Sequence, residues 1–412
     1  MAWLELDLDA LAGNLLAIRE AVGPGVRVDP VVKADAYGHG SVPVALALEG
    51  AGADGLCVAT IDEALELRDG GVRAPILVLY PVPASFVAEA AARRIAVTAG
   101  SGALLGALVD AVVARGVAAR SPLEVHVEVE TGLGRGGVLP VDMSDALERL
   151  RAVPAIRVAG IWSHLAAPED AERSGRQDTI FERVLGSMDV PPGGVPRRHL
   201  AASGAILAGT VPSFDAVRPG LATYGLVPDD VTFAAASGLA GALRPVMALI
   251  ARPVRVVDLP AGHGVGYGPG FVTDRPSRLA TLPVGYGDGW SRAWSNKAEA
   301  LVRGVAVPLV GRVSMDAVIA DVTDVPGPLV DEADEFVLLG RQGEASIEAA
   351  ELARRRTTNS WEVVTSMSRR LTRVYHRAGA PEGVRTLTGW RASWHASSSG
   401  TGISATSRST PS

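Results

Sequence analysis

Lysine is almost missing from this chain. Only Lys33 and Lys297 occur among 412 residues, so 37 of the 39 lysines and arginines are arginines. Cysteine is scarcer still. Cys57 stands alone, which excludes an internal disulfide and points to a reducing, cytoplasmic setting. Within the apolar run GLCVAT it reads as a small buried residue rather than a nucleophile. Positive charge is not in excess. The net charge of −6 and the lack of like-charge blocks give nucleic acid nothing to bind. No apolar run approaches about 18 residues free of charge, so no membrane span is predicted. The opening MAWLELDLDA has early acids and no basic stretch, and predicts no secretory leader.

What is present is a large apolar fraction, 48% of residues, in an ordered rhythm. RVDPVVKA, GLCVAT, PILVLY, IAVTA, LEVHVEVE, RVAGIWSHLA, HLAASG and AVRPGLATYG read as strands. SVPVALALEG, IDEALELRDG, PASFVAEAAARR and segments near 102–118, 142–151 and 171–187 read as helices between them. Strand–helix alternation at this spacing predicts an α/β fold, a parallel (β/α)8 barrel over residues 1–238 whose first few residues could join the next domain. From 239 to 377 the pattern becomes β-rich runs broken by Gly, Pro and Asp, predicting a mainly antiparallel β domain with a helical insert. Residues 378–412, rich in Ser, Thr and Gly, are expected to be a disordered tail.

Lys33 closes the apolar run in VVKADAYGHG and precedes a glycine turn. In a parallel barrel that is the C-terminal mouth, where functional groups collect. A shielded amine there has a lowered pKa and can condense with a carbonyl, which a guanidinium cannot. On these residues alone, a surface lysine at a strand end fits equally well.

The stretch VVKADAYGHG resembles the pyridoxal-phosphate signature of the alanine racemase family. Further blocks resemble that family in the same order: VETGLGRGG (129–137), GIWSHLA (160–166), DAVRPGLATYG (215–225), VGYGPGF (265–271), TLPVGYGDGW (281–290), VGRVSMDAVIADVT (310–323) and ADEFVLLGRQG (333–343). The resemblance spans roughly residues 3–376 and implies pyridoxal 5′-phosphate as cofactor, a small amino acid as substrate and a homodimer with shared active sites.

It implies that Lys33 carries the cofactor and acts as one catalytic base, with Tyr267 from the partner subunit as the other. Two bases on opposite faces suit racemisation, one removing the α-proton and the other returning it. Arg218 would face the pyridine nitrogen, where a permanent cation weakens the electron sink and favours racemisation over decarboxylation. Arg135 would contact the cofactor's phenolic oxygen and the substrate carboxylate, and His164 would pack on the ring. Tyr37, Ser203, Gly220, Leu221 and Trp361 fall at phosphate contacts. Tyr286, Met315 and Asp316 fall near the substrate.

Three positions depart from the family pattern. Glu128 stands where many members carry a lysine that becomes a carbamate, and is expected to pair with Arg135. Ala202 replaces an asparagine before Ser203, and Trp361 replaces a tyrosine, leaving one N–H donor and more bulk. The function expected is L/D-alanine racemisation. The alternatives are a racemase for another small amino acid and a cofactor-binding paralogue without turnover.

Overall fold

A computed structural model describes residues 1–188, 196–228, 238–268 and 270–391. The chain divides into two compact units. One takes Leu11–Ala36 and Ser41–Arg244, and the other Met1–Ala10, Tyr37–Gly40 and Pro245 onward.

In the first unit, eight strands run in parallel: Arg27–Val28, Leu56–Val58, Ile76–Val78, Ile95–Ala99, Leu123–Glu128, Ile156–Trp162, Arg197–Ala202 and Ala216–Arg218. Their order is circular along the chain, with the last strand beside the first. A bridge between Val31 and Cys57 closes the remaining gap, backed by the Val32 N–H to Cys57 carbonyl bond at 2.8 Å. Helices alternate with these strands, from Leu8–Val22 to Ser203–Ala208. Leu56–Val58, Ile76–Val78 and Ile95–Ala99 are buried at every position. That is the pattern of strands covered on both faces, and it explains why they read as unbroken apolar runs rather than alternations.

The second unit is built on a sheet ordered as Arg255–Leu259, Ser277–Leu282, Val318–Asp321, Val305–Val310, Glu299–Val302, Phe336–Gln342, Met247–Ala251, Ala2–Asp7, Thr372–Arg377, Ala380–Thr386 and Gly389–Arg391. All its pairings are antiparallel except that of Ala2–Asp7 with Thr372–Arg377. The first strand is held between Met247–Ala251 and Thr372–Arg377, which places the N-terminus in this unit. The helical insert is Ala349–Arg356 and Ser360–Thr365.

The expected tail needs correction. Ala380–Thr386 folds back on Thr372–Arg377, Gly389–Arg391 adds a further strand, and Val384 is buried. A turn through Ala378 and Gly379, both at positive φ, makes the first hairpin. Cross-strand pairing stabilised a segment whose own composition is too polar to signal a strand. Residues 392–412 lie outside the described residues.

Candidate active site

The strand at Arg27–Val28 is short, and Pro30 removes a backbone donor just beyond it. From Lys33 the chain winds one left-handed turn, with Ala34, Asp35, Ala36 and Tyr37 at φ of 52°, 56°, 52° and 52°. Each non-glycine residue in this region costs roughly 1–2 kcal/mol. Local bonds offset it: Ala34 N–H donates to Glu63 Oε1 at 2.6 Å, Ala36 N–H to the Val32 carbonyl at 3.0 Å, and Ser41 N–H to Asp35 Oδ1 at 2.9 Å. Glu63 is itself fixed by a capping box with Thr60 at the start of the helix Ile61–Asp69. This turn sets the direction of Lys33. Burial lowers the Lys33 amine below its ordinary 10.5, the Arg135 cation adds to that, and Glu63 and Cys57 oppose it. Cys57 is buried, and burial pushes its thiol up to about 12, so it is no nucleophile.

Within the second unit, Tyr37–Gly40 continues from this turn. Gly38 has φ of 80°, and a Cβ there would sit 2.2 Å from the Val364 carbonyl oxygen. Arg373 Nε donates to the Gly38 carbonyl at 2.9 Å, and the Tyr375 hydroxyl to the His39 carbonyl at 2.8 Å.

The barrel brings Lys33, Glu128, Arg135, His164, Ser203, Arg218, Gly220 and Leu221 to the C-terminal ends of its strands. Ser203 follows its strand directly, and its Oγ accepts from Gly220 N–H at 2.8 Å and Ala222 N–H at 3.2 Å. Arg135 Nη2 lies 3.9 Å from Glu128 Oε1. Burial raises the Glu128 carboxyl, while Arg135 and Arg218 lower it. His164 is pushed down to about 3 by burial and then by Arg218 and Arg135, so its ring is neutral.

Arg218 is buried without a carboxylate on it among the described residues. Its Nη1 meets His199 Nδ1 at 2.6 Å and the His199 carbonyl at 3.0 Å, and its Nη2 donates to the Ser163 carbonyl at 2.7 Å. Trp162 lies under the guanidinium at 4.8 Å. Burial lowers Arg218 to about 10, which still leaves it cationic near neutrality. A guanidinium only donates, so His199 Nδ1 must accept and its proton sits on Nε2. That nitrogen lies 2.8 Å from His126 Nδ1, which therefore accepts and leaves the His126 proton on Nε2. Gly160 makes room for this pair, because a Cβ there would fall 2.2 Å from His126 Nδ1.

The other predicted residues lie in the second unit. Tyr267 stands between Gly266 and Gly268 and is 72% exposed. Tyr286 N–H donates to the Ser314 carbonyl and Gly287 N–H to that of Met315, which joins the two loops. Arg370 bridges Asp316 at 2.7 Å and Asp288 at 3.2 Å. Trp361 sits half-buried at the start of the helix Ser360–Thr365. Sequence reasoning missed Glu63, Trp162, His199 and His126. The two histidines occupy alternate-face positions in strands already recognised, and only the closed barrel puts them in contact.

The alanine racemase N-terminal domain model matches residues 6–228, and the C-terminal domain model residues 246–375. The chain belongs to the alanine racemase family. It is 39% identical over 390 residues to an alanine racemase of Syntrophobacter fumaroxidans, covering 91% of this chain and 97% of that one. An alanine racemase of Thermobifida fusca is also 39% identical, over 376 residues, covering 90% and 96%. The crystal structure of an alanine racemase from Bacillus anthracis with bound L-Ala-P superposes with a TM-score of 0.83 at 31% identity, covering 94% of this chain and 98% of that one.

Enzymes of this family are pyridoxal 5′-phosphate-dependent isomerases. The residues here fit that group. Ser203 and the 220–222 turn form a cradle in which Ser203 Oγ accepts from Gly220 and Ala222 N–H, leaving the Ser203 hydroxyl proton to donate to a phosphate. Lys33 supplies an amine whose pKa burial lowers, and buried Arg218 a fixed cation.

Proposed function

We propose that this racemase interconverts L- and D-alanine by a two-base mechanism, with Lys33 as one base and Tyr267 of the partner subunit as the other. The observation that carries it is a lysine on a strained turn, its pKa lowered by burial, in one barrel mouth with a buried arginine whose hydrogen-bond partners among the described residues are neutral. When bound, pyridoxal phosphate supplies an electron sink for the α-carbon.

The chain's own residues do the rest. Lys33 holds the cofactor and, as a neutral amine, accepts or returns a proton on one face. His164 packs against the ring. Ser203, Gly220, Leu221, Tyr37 and Trp361 bind the phosphate. Arg218 stays cationic and would disfavour protonation of the cofactor's pyridine nitrogen, keeping the sink weak. Arg135, oriented by Glu128, binds the substrate carboxylate, with Tyr286, Met315 and Asp316 bounding the substrate. Exposure of Tyr267 supports its delivery to a second copy. Among the described residues no helix is long and apolar enough to cross a membrane. A homodimer in the cytoplasm is part of the same proposal.

The test mixes two inactive variants, Lys33→Ala and Tyr267→Phe, under conditions of subunit exchange. A shared site leaves one intact centre in each mixed dimer, and about a quarter of wild-type alanine racemisation returns at equal mixing. If no activity returns, the tyrosine does not come from the partner. A chiral assay against a panel of amino acids, read with solvent-deuterium exchange at Cα, tests alanine as substrate.

A further inference from the structure

The opposite end of the barrel holds a second polar chamber, distinct from the mouth that carries Lys33. A cavity of about 310 Å³ opens at the N-terminal strand ends, lined by residues that include Arg27, Arg68, Arg73, Arg94, Arg157 and Arg197. Only two carboxylates, Asp29 and Glu124, share that lining. Six permanent cations against two acids is a strongly unbalanced wall.

Existing partners account for half of the arginines. Arg27 bonds Asp29 at 3.2 Å, and Arg157 pairs with Glu124. Arg68 donates to the carbonyls of Val72, Ala74, Arg93 and Arg94. The guanidinium groups of Arg73 and Arg94, both exposed, and of half-buried Arg197 make no hydrogen bond or ion pair among the described residues, although the charges of Asp29 and Glu124 act on Arg197. Arg27 also keeps a buried Nε with no hydrogen-bond acceptor among the described residues. His126 lines the same cavity. The tautomer imposed by Arg218 through His199 makes its Nε2 an N–H donor, and no acceptor meets it among the described residues.

One donor of this wall, Arg27 Nε, is buried without an acceptor, and leaving a buried donor unmet is costly in a native protein. A guanidinium fork matches the oxygens of a phosphate, which can take two bonds from each fork and spread two negative charges over several. A wall carrying four cations in excess matches a dianion better than a single carboxylate. We propose that this chamber binds a phosphate-type dianion, either inorganic phosphate or the phosphate group of a small metabolite. The bound oxyanion takes donors from Arg197, Arg94 and Arg73 at the rim and from His126 at the floor. His126 makes the site the far end of the column that runs through His199 to Arg218.

The test is calorimetric titration of the cofactor-loaded enzyme with inorganic phosphate and, separately, with glycerol 3-phosphate. Loading keeps both out of the cofactor cradle, and ionic strength is held constant with chloride. One saturable site is expected, weakened about tenfold or more by Arg197→Gln and by Arg94→Gln. Arg94 is exposed, so its variant serves if Arg197→Gln does not fold. Tighter binding of the ester assigns a metabolite, and equal or weaker binding assigns inorganic phosphate. No saturable binding of either, displacement by chloride at equal concentration, or binding untouched by the substitutions overturns the proposal.

Discussion

Lys33 is one of two lysines in the chain, which makes its chemistry separately measurable. Because burial and Arg135 lower its pKa, acylation of Lys33 in the cofactor-free protein should rise with a midpoint below 10.5. Mass-spectrometric labelling across pH reads this directly, and a midpoint at or above 10.5 would contradict a shielded amine. The buried histidines give a second titration. His126 and His164 are held at about 3 and His199 well below 6.5, each chiefly by burial. As pH falls below 6.5 the unfolded chain binds protons at these rings and the folded chain does not. Stability therefore falls with falling pH until about 3. His126→Asn removes one such group, and the slope of unfolding free energy against pH should drop by at most about 1.4 kcal/mol per unit. Denaturant titrations at several pH values measure it, and an unchanged slope would mean His126 titrates normally.

At the scale of elements, the left-handed turn after Lys33 is the least ordinary piece of backbone. Ala34 is exposed at φ of 52°. Ala34→Gly should stabilise the protein by up to about 1 kcal/mol, whereas the same change inside a right-handed helix costs about that much. Chemical denaturation decides, and a loss of stability would mean the strain is not there. The opposite change nearby should be severe. Gly38→Ala drives a Cβ to 2.2 Å from the Val364 carbonyl oxygen at a φ that already disfavours alanine. It should cost at least about 2 kcal/mol and lower the melting temperature by several degrees. VVKADAYGHG announces glycine-dependent geometry, but four alanine, aspartate and tyrosine residues in left-handed conformation violate local preference. Bonds to Val32 and Ser41 close to it in the chain, and to Glu63 from a neighbouring helix, support that turn. The hairpin after Arg377 was invisible, since its partner strand lies in the folded sheet rather than in its own composition.

For the whole molecule, the order of blocks along the sequence carried the architecture. Eight apolar-rich segments separated by helical ones already specify a parallel sheet, because its strands are covered on both faces and three of them are buried at every position. The β-rich second half and the helical insert were legible because periodicity and glycine turns are local signals, whereas most residues at the barrel mouth were legible only through the family resemblance. The first strand pairing with Met247–Ala251 was only hinted at, because a contact across so many residues leaves no local trace. The helix Leu8–Val22 was not distinguished, its apolar positions merging with those of the strand before it. What the sequence by itself determined is the chemistry available: a lysine closing an apolar run, an arginine in VRPG, a glycine-flanked tyrosine, and arginine nearly everywhere else. What only the tertiary structure decided is which groups meet. Closing the barrel sets His126 against His199 and His199 against Arg218, fixes the protons on both rings, and gathers six arginines around one cavity. Those outcomes depend on distances between strands far apart in the chain, and electrostatic and hydrogen-bond energies follow distance rather than sequence order.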